Sequence, residues 1–114
     1  MIAVIFEVNP AEGQRERYLD LAARLKPQLE TIDGFISVER FQSLAQPQKM
    51  LSLSFWRDEE SVVRWRRHEQ HREAQRAGRT GIFHTYRLRV AAVIRDYGMD
   101  QRDEAPQPPP ERTA

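Results

Sequence analysis

The chain contains 114 residues, of which 18 are basic, 17 are acidic and none is cysteine, and its formal net charge is +1. The lack of cysteine excludes disulfides, thiolate catalysis and cysteine-ligated zinc. The balanced charge argues against nucleic acid or an anionic membrane as a partner, and no apolar run approaches the roughly 20 residues of a membrane span. We therefore expect a cytoplasmic protein with one folded domain and no signal peptide.

The first half of the chain predicts two strands on either side of a helix. Residues 2–8 are rich in β-branched side chains and predict a strand that is buried, or nearly buried, on both faces. Apolar residues at spacings of three and four predict an amphipathic helix over residues 14–29, which Pro27 is expected to kink or end early. Asp33-Gly34 predicts a turn into a second strand at residues 35–42.

The second half predicts the same kinds of element. Alternation of apolar and other residues over 51–56 indicates a third strand, and Asp58 is placed to act as the N-cap of a second helix. This helix is predicted over residues 59–77, because Gly78 can adopt the left-handed conformation that ends a helix. A long alternating run then predicts a fourth strand at residues 83–96.

The composition changes near the C-terminus. Residues 99–114 hold four of the seven prolines and, after Met99, no large apolar side chain. Such a segment buries too little apolar surface to offset the entropy lost on ordering. We expect a domain at residues 1–98 and a disordered tail at residues 99–114.

The order of elements, β-α-β-β-α-β, predicts an α+β fold of the ferredoxin-like type, with two helices on one face of an antiparallel sheet. Apolar side chains are nevertheless expected on both faces, with Phe35 and Phe41 opposite Ile36 and Val38. A bare apolar sheet face marks an interface, so we expect a homodimer in which a second copy covers it. Arg87 and Arg89 are expected to form ion pairs with Glu39 or Glu7 across that dimer, and binding of an anionic substrate is the alternative.

The sequence resembles the antibiotic biosynthesis monooxygenase (ABM) family over roughly residues 1–98. The resemblance rests on the entry to the second strand, on the turn from the third strand into the second helix, on that helix, and on the final strand. The residues concerned are Asp33-Gly34-Phe35, Phe55-Trp56-Arg57-Asp58-Glu59-Glu60, Trp65 with His71-Arg72 and Ala74-Gln75, and the run from Arg87 to Tyr97.

This resemblance implies a dimeric α+β barrel and an activity on a small aromatic or apolar ligand. Family members oxidise aromatic polyketides with O2 and no cofactor, degrade haem, or handle quinols. The haem-degrading branch uses an axial histidine near the end of the second helix, where this chain has Gln75. That branch also uses an asparagine inside the first strand, where this chain offers only Asn9, at the exit of the strand. The resemblance therefore disfavours haem degradation, although His71 lies one turn from Gln75.

The candidate site residues lie mainly on the second helix. His68 and His71 are one turn apart and are candidate catalytic bases, because a neutral imidazole can accept a proton near pH 7. Trp65 is a candidate wall for stacking a flat substrate, and the resemblance adds Gln75 and Asn9 as substrate-contacting residues. The alternatives are a solvated polar face for the histidines and core packing for Trp65. No metal site is expected from two histidines alone.

Three functions remain open at this point. The first is cofactor-independent oxygenation of a small aromatic or quinol substrate. The second is a non-catalytic binding or stress-associated dimer that holds a small apolar ligand, and the third is haem binding.

Overall fold

The computed structural model describes residues 1–76 and 81–107, without the side chains of residues 69–76. Four strands form one antiparallel sheet in the order β2-β3-β1-β4, and two helices pack on one of its faces, so the predicted ferredoxin-like α+β fold is confirmed. No helix in this part of the chain is long and apolar enough to cross a membrane. The elements are β1 (Ile2–Pro10), α1 (Arg15–Leu29), β2 (Phe35–Gln42), β3 (Met50–Trp56), α2 (Glu59–Arg76) and β4 (Phe83–Ala92).

The core lies between the helices and one face of the sheet, in two buried clusters. The first contains Trp56 of β3 and takes side chains from both helices, whereas the second contains side chains from α1, β1 and β3. Among the described side chains, α2 therefore contributes only to the first cluster. The first cluster consists of Leu29, Trp56, Val62 and Trp65, and the second of Val8, Tyr18 and Met50.

Several predicted boundaries are wrong by a few residues, and the reasons are physical. Helix α1 does not end early at Pro27 but continues to Leu29. Pro27 is exposed and lies in the last turn, so the helix tolerates the loss of its amide donor. Strand β4 ends at Ala92 rather than at residue 96, since Ala92 pairs with Ile2, the first residue of β1. Beyond it, the Val93 amide still donates to the Met1 carbonyl at 3.0 Å. Strand β1 continues to Pro10, two residues further than predicted.

The predicted faces of β2 are also wrong. The register between β2 and β3 shifts between Phe35 and Ser37, so Ile36 is an inserted residue. Because a one-residue shift exchanges the two faces of a strand, Val38 lies on the same side as Phe35. Both side chains pack against the cluster that contains Trp56, whereas the apolar side chain of Phe41 points to the opposite face.

The face of the sheet away from the helices is apolar and is not covered by any described element. Its central side chains are half-buried by their neighbours in the sheet, so β1 is only partly buried on this face in the single chain. On this face Glu7 forms two ion pairs within the chain. Its Oε2 lies 3.3 Å from Lys49 Nζ and 3.4 Å from the Arg89 guanidinium. The apolar side chains are Ile5, Leu51, Leu53, Phe55 and the more exposed Phe41.

A hydrogen-bonded junction joins the end of β3, the start of α2 and the turn before β2. The Arg57 guanidinium donates two hydrogen bonds to the Asp33 carboxylate, both of 3.1 Å, and the Arg57 amide donates to the Gly34 carbonyl at 2.7 Å. The predicted N-cap is confirmed, since Asp58 Oδ1 accepts from the amide and the hydroxyl of Ser61 at 2.9 and 2.6 Å. The junction fixes where α2 begins and in which direction it leaves the sheet.

Gly34 fits this junction for two separate reasons. Its φ of +94° lies in the left-handed region, which costs L side chains strain. A Cβ at this position would also collide with the Cβ and hydroxyl of Ser61, a residue with no exposed surface. The turn and the first turn of α2 can approach this closely only because the side chain is missing.

We expect Gly34→Ala to destabilise the protein by about 2–4 kcal/mol, because it adds backbone strain to a collision with a buried residue. Gly13→Ala is the matched control. Gly13 also has a positive φ, of +74°, but a Cβ there meets no atom within 4 Å. The control should therefore lose only about 1 kcal/mol. Urea unfolding of the two variants makes the comparison, and equal losses would show that the approach to Ser61 contributes nothing.

The carboxylates of the junction titrate below their ordinary range. The hydrogen bonds from Ser61, followed by the one from Arg57, lower the pKa of Asp58, and the Arg57 hydrogen bonds lower the pKa of Asp33. In return, Asp33 and then Asp58 raise the pKa of Arg57 above its ordinary value. All three groups therefore remain charged at neutral pH.

A carboxyl group with a lowered pKa in the folded state makes stability depend on pH in one direction. As the pH falls through about 3.8, the carboxyl groups of the unfolded chain take up protons before those of the folded protein do. The contribution of these carboxylates to the stability of the folded protein is therefore complete above this pH and is lost below it. Asp58→Asn keeps a good N-cap but removes the charge. Urea unfolding between about pH 5 and pH 2 should therefore show a shallower loss of stability in the variant. An identical slope would contradict the assignment.

Beyond β4 the chain folds back on itself over a short distance. Glu104 accepts a hydrogen bond from the Asp96 amide at 2.6 Å, and the Arg102 guanidinium lies 5.1 Å from the centre of the Tyr97 ring. Residues 108–114 lie outside the described part of the chain. The division into a domain at residues 1–98 and a disordered tail stays a prediction.

Candidate active site

The described part of α2 brings two of the predicted site residues into contact. The rings of Trp65 and His68 are nearly parallel, at 13°, and their centres are 5.6 Å apart, which is the geometry of offset stacking. Trp65 is buried, with 9% exposure, in the cluster with Leu29, Trp56 and Val62, whereas His68 is exposed. Trp65 thus has a core-packing role, and one of its surfaces meets a histidine that faces solvent.

His71 and Gln75 lie on the same helix by their backbone positions, one and two turns after His68. Their side chains lie outside the described part of the chain. The helical spacing places the backbone of His71 next to that of His68. The roles assigned to His71 and Gln75 stay predictions.

Asn9 is not brought together with the tryptophan. It lies near the end of β1 and donates a hydrogen bond of 3.3 Å to the Thr85 hydroxyl of β4. The cluster that contains Trp65 packs against Ile2 and Val4, near the start of β1. At about 3.3 Å per residue, these two residues lie about 20 Å from Asn9 along the strand. The alternation along β1 also places Asn9 on the sheet face opposite to the helices.

Two cavities border Asn9. One, of about 240 Å³, lies at the end of the uncovered face and is lined by Glu7, Lys49, Thr85 and Arg87 among others. Lys49, and to a smaller extent Arg89, lowers the pKa of Glu7, which is therefore charged in this cavity. The other, a groove of about 880 Å³, runs between the loop after β1 and the loop after β2, and His84 lines it. Among the described side chains, no three acidic or histidine residues are grouped to hold a metal ion.

A strip of apolar side chains on β4 lies exposed on the face of the sheet that carries the helices. Tyr86, Leu88 and Val90 are paired with helix-facing residues of β1, so they point to the same side as Trp65, yet they are 64, 40 and 40% exposed. The Tyr86 ring contacts Phe6 and Phe83, with centres 5.6 and 6.0 Å apart. The alternation of β4 identified this face, but no signal in the sequence indicates that the helices leave it uncovered.

A sheet of this order with two helices on one face defines a small α+β domain of the ferredoxin-like class. The model of the antibiotic biosynthesis monooxygenase family matches residues 1–77, which include β1 to β3, both helices and the whole junction. The chain belongs to this family, as its residues suggested.

Two curated relatives extend the comparison. The chain is 52% identical over 93 residues to a jasmonate monooxygenase ABM of Pyricularia oryzae, in an alignment that covers 82% of this chain and 43% of the relative. It thus spans less than half the length of that relative. It is also 29% identical over 93 residues to the uncharacterized protein YqjZ of Bacillus subtilis, with coverage of 82 and 79%.

Among solved structures, the haem-degrading protein MhuD of Mycobacterium tuberculosis, with two haems bound in its active site, has a TM-score of 0.66. The superposition covers 86% of this chain and all of MhuD, at 16% sequence identity. A likeness at this level of identity concerns the fold alone.

Proposed function

We propose that this chain is a cofactor-independent monooxygenase that acts on a small aromatic or quinol substrate. The observation that carries the proposal is the family membership over residues 1–77, a span that contains the stacked pair Trp65 and His68. Trp65 supplies a flat apolar surface, and His71 on the same helix supplies an imidazole, a group that can act as a general base. The 52% identity to a named monooxygenase supports oxygenation over a purely binding role.

The chemistry of this proposal needs no external reductant. A base removes a proton from a phenol whose ring bears an activated CH2 group, and the resulting anion is electron-rich enough to react with O2. The CH2 group becomes a carbonyl, one oxygen atom enters the product and the other leaves as water. The substrate supplies all four electrons that O2 accepts.

In this proposal His71 is the proton acceptor and Trp65 is the wall against which the ring packs. Replacing His71 with Ala should lower O2 consumption with a hydroxyanthrone substrate by about 10²- to 10⁴-fold, which is the range for loss of a general base. The melting temperature should remain close to that of the wild type. The measurement uses an oxygen electrode together with 18O2 labelling of the product.

His84→Ala is the matched control for this variant, because His84 lines the groove at the far end of the sheet from Trp65. It should retain wild-type activity. Full activity in the His71 variant would remove this residue from the mechanism. Equal losses in both variants would instead move the reaction away from α2.

Jasmonate hydroxylation is a second candidate, favoured by the name of the 52% identical relative. Converting an unactivated C–H group to C–OH with O2 consumes two further electrons and two protons. Jasmonate turnover should consequently depend on an added reductant, such as a reduced nicotinamide or flavin, whereas hydroxyanthrone turnover should not. Assays of both substrates with and without NADPH separate the two candidates.

We also propose that the working form is a cytoplasmic homodimer, in which a second copy covers the apolar face away from the helices. The side chains of Ile5, Leu51, Leu53 and Phe55 form a contiguous apolar patch there. Positive side chains lie on the β4 side of this face (Arg87 and Arg89), and Glu39 lies on the β2 side. A twofold axis parallel to the strands would place β4 of one copy opposite β2 of the other. The arginines of one copy would then face Glu39 of the other.

Leu53→Asp tests this dimer, because Leu53 lies at the middle of the patch on β3. A charge there should yield a monomer or an aggregate in sedimentation velocity, since a specific interface excludes water over about 1,000 Å² or more. Ile36→Asp is the control, as Ile36 is the exposed inserted residue of β2. A monomeric wild type, or a Leu53→Asp variant that sediments as a dimer, would refute the proposed interface.

A further inference from the structure

The position of His68 over Trp65 has a consequence for how a flat ligand reaches the tryptophan. Trp65 packs on the core through the cluster of Leu29, Trp56 and Val62. Another part of its surface meets the stacked imidazole of His68, which is itself exposed. Trp65 is therefore shielded in part by a side chain that has solvent on its other side.

Within the described part of the chain, the interaction made by the His68 ring is the stack on Trp65. Among the described residues, no side-chain hydrogen bond or ion pair to this imidazole accompanies the stack. Helix α2 supplies the backbone, so a rotation about the side-chain torsions moves the ring into solvent without disturbing the helix. Ring rotations of exposed side chains are fast, on the picosecond to nanosecond scale.

We propose that the His68 imidazole occupies the stacking position of a flat ligand and must swing away when such a ligand binds. In this role His68 is a specificity-determining residue rather than a base. A ligand gains only the difference between its own stacking on Trp65 and that of the imidazole it replaces. Fused ring systems, which cover more of the indole than one five-membered ring does, are therefore preferred over single rings.

This inference rests on the proposed function only for the choice of Trp65 as the wall, and its test measures binding rather than turnover. The protein has two tryptophans, and Trp56 has 1% exposure with its indole N–H bonded to Ser54 at 2.9 Å. Fluorescence quenching by acrylamide thus reports chiefly on Trp65. Quenching should be stronger in His68→Ala than in the wild type, because the covering ring is gone.

The binding arm uses 1-naphthol, a fused phenol that lacks the activated CH2 group of the proposed substrates. Removing the competing stack should tighten its binding by about two- to tenfold in His68→Ala, measured by calorimetry. His68→Phe places another ring on Trp65 and should bind 1-naphthol no better than the wild type. Arg67→Ala, an exposed neighbour on the same helix, is the control and should leave both readouts unchanged.

The variants keep the fold because alanine favours a helix and the replaced side chain is exposed. Circular dichroism and the melting temperature verify this before any comparison. Unchanged quenching, or 1-naphthol binding that is equal or weaker in His68→Ala, would overturn the inference. Tighter binding in a protein that oxidises no substrate would uphold it and refute the proposed function instead.

Discussion

The paired hydrogen bonds between Arg57 and Asp33 are the contact on which the arrangement of α2 depends. They connect two loops that are distant in the sequence but adjacent at one end of the sheet. Gly34 lets the loops approach, and Asp58 uses the same junction to start the helix. The anchoring of this first turn orients the side chains along α2, which include Trp65 and His68. Helix α2 is thus held by polar contacts at its start and by apolar contacts along one side.

The order and type of the elements could be predicted from periodicity and caps because these are local properties of the chain. The ends of strands could not, since they depend on partners elsewhere: β4 ends at Ala92 where β1 runs out. The faces of β2 could not be predicted either. The bulge at Ile36 is set by pairing with β3, and it reverses the assignment of Val38. Alternation alone assumes an uninterrupted register.

The candidate site was predictable to the extent that it follows helical geometry. The spacing of three between Trp65 and His68 predicts neighbours on one helix surface, and the structure stacks their rings. Asn9 was placed in the site by resemblance, whereas its position on β1 puts it on the other face of the sheet, about 20 Å away. Distances between elements require the sheet register, which a single sequence does not contain.

The pairing of β1 also shapes how the chain must fold. Ile2 pairs with Trp56 on one side and with Ala92 on the other, so the first of the four strands in chain order is one of the two central strands. Its second partner is the last of the four. Contacts this distant in sequence close slowly, because the entropy of a long loop is lost before pairing compensates for it. During synthesis the segment Ile-Ala-Val-Ile-Phe is apolar, β-prone and without its final neighbour, which is the profile of an aggregation hot spot. Yield from a refolding reaction is accordingly set by concentration as much as by stability.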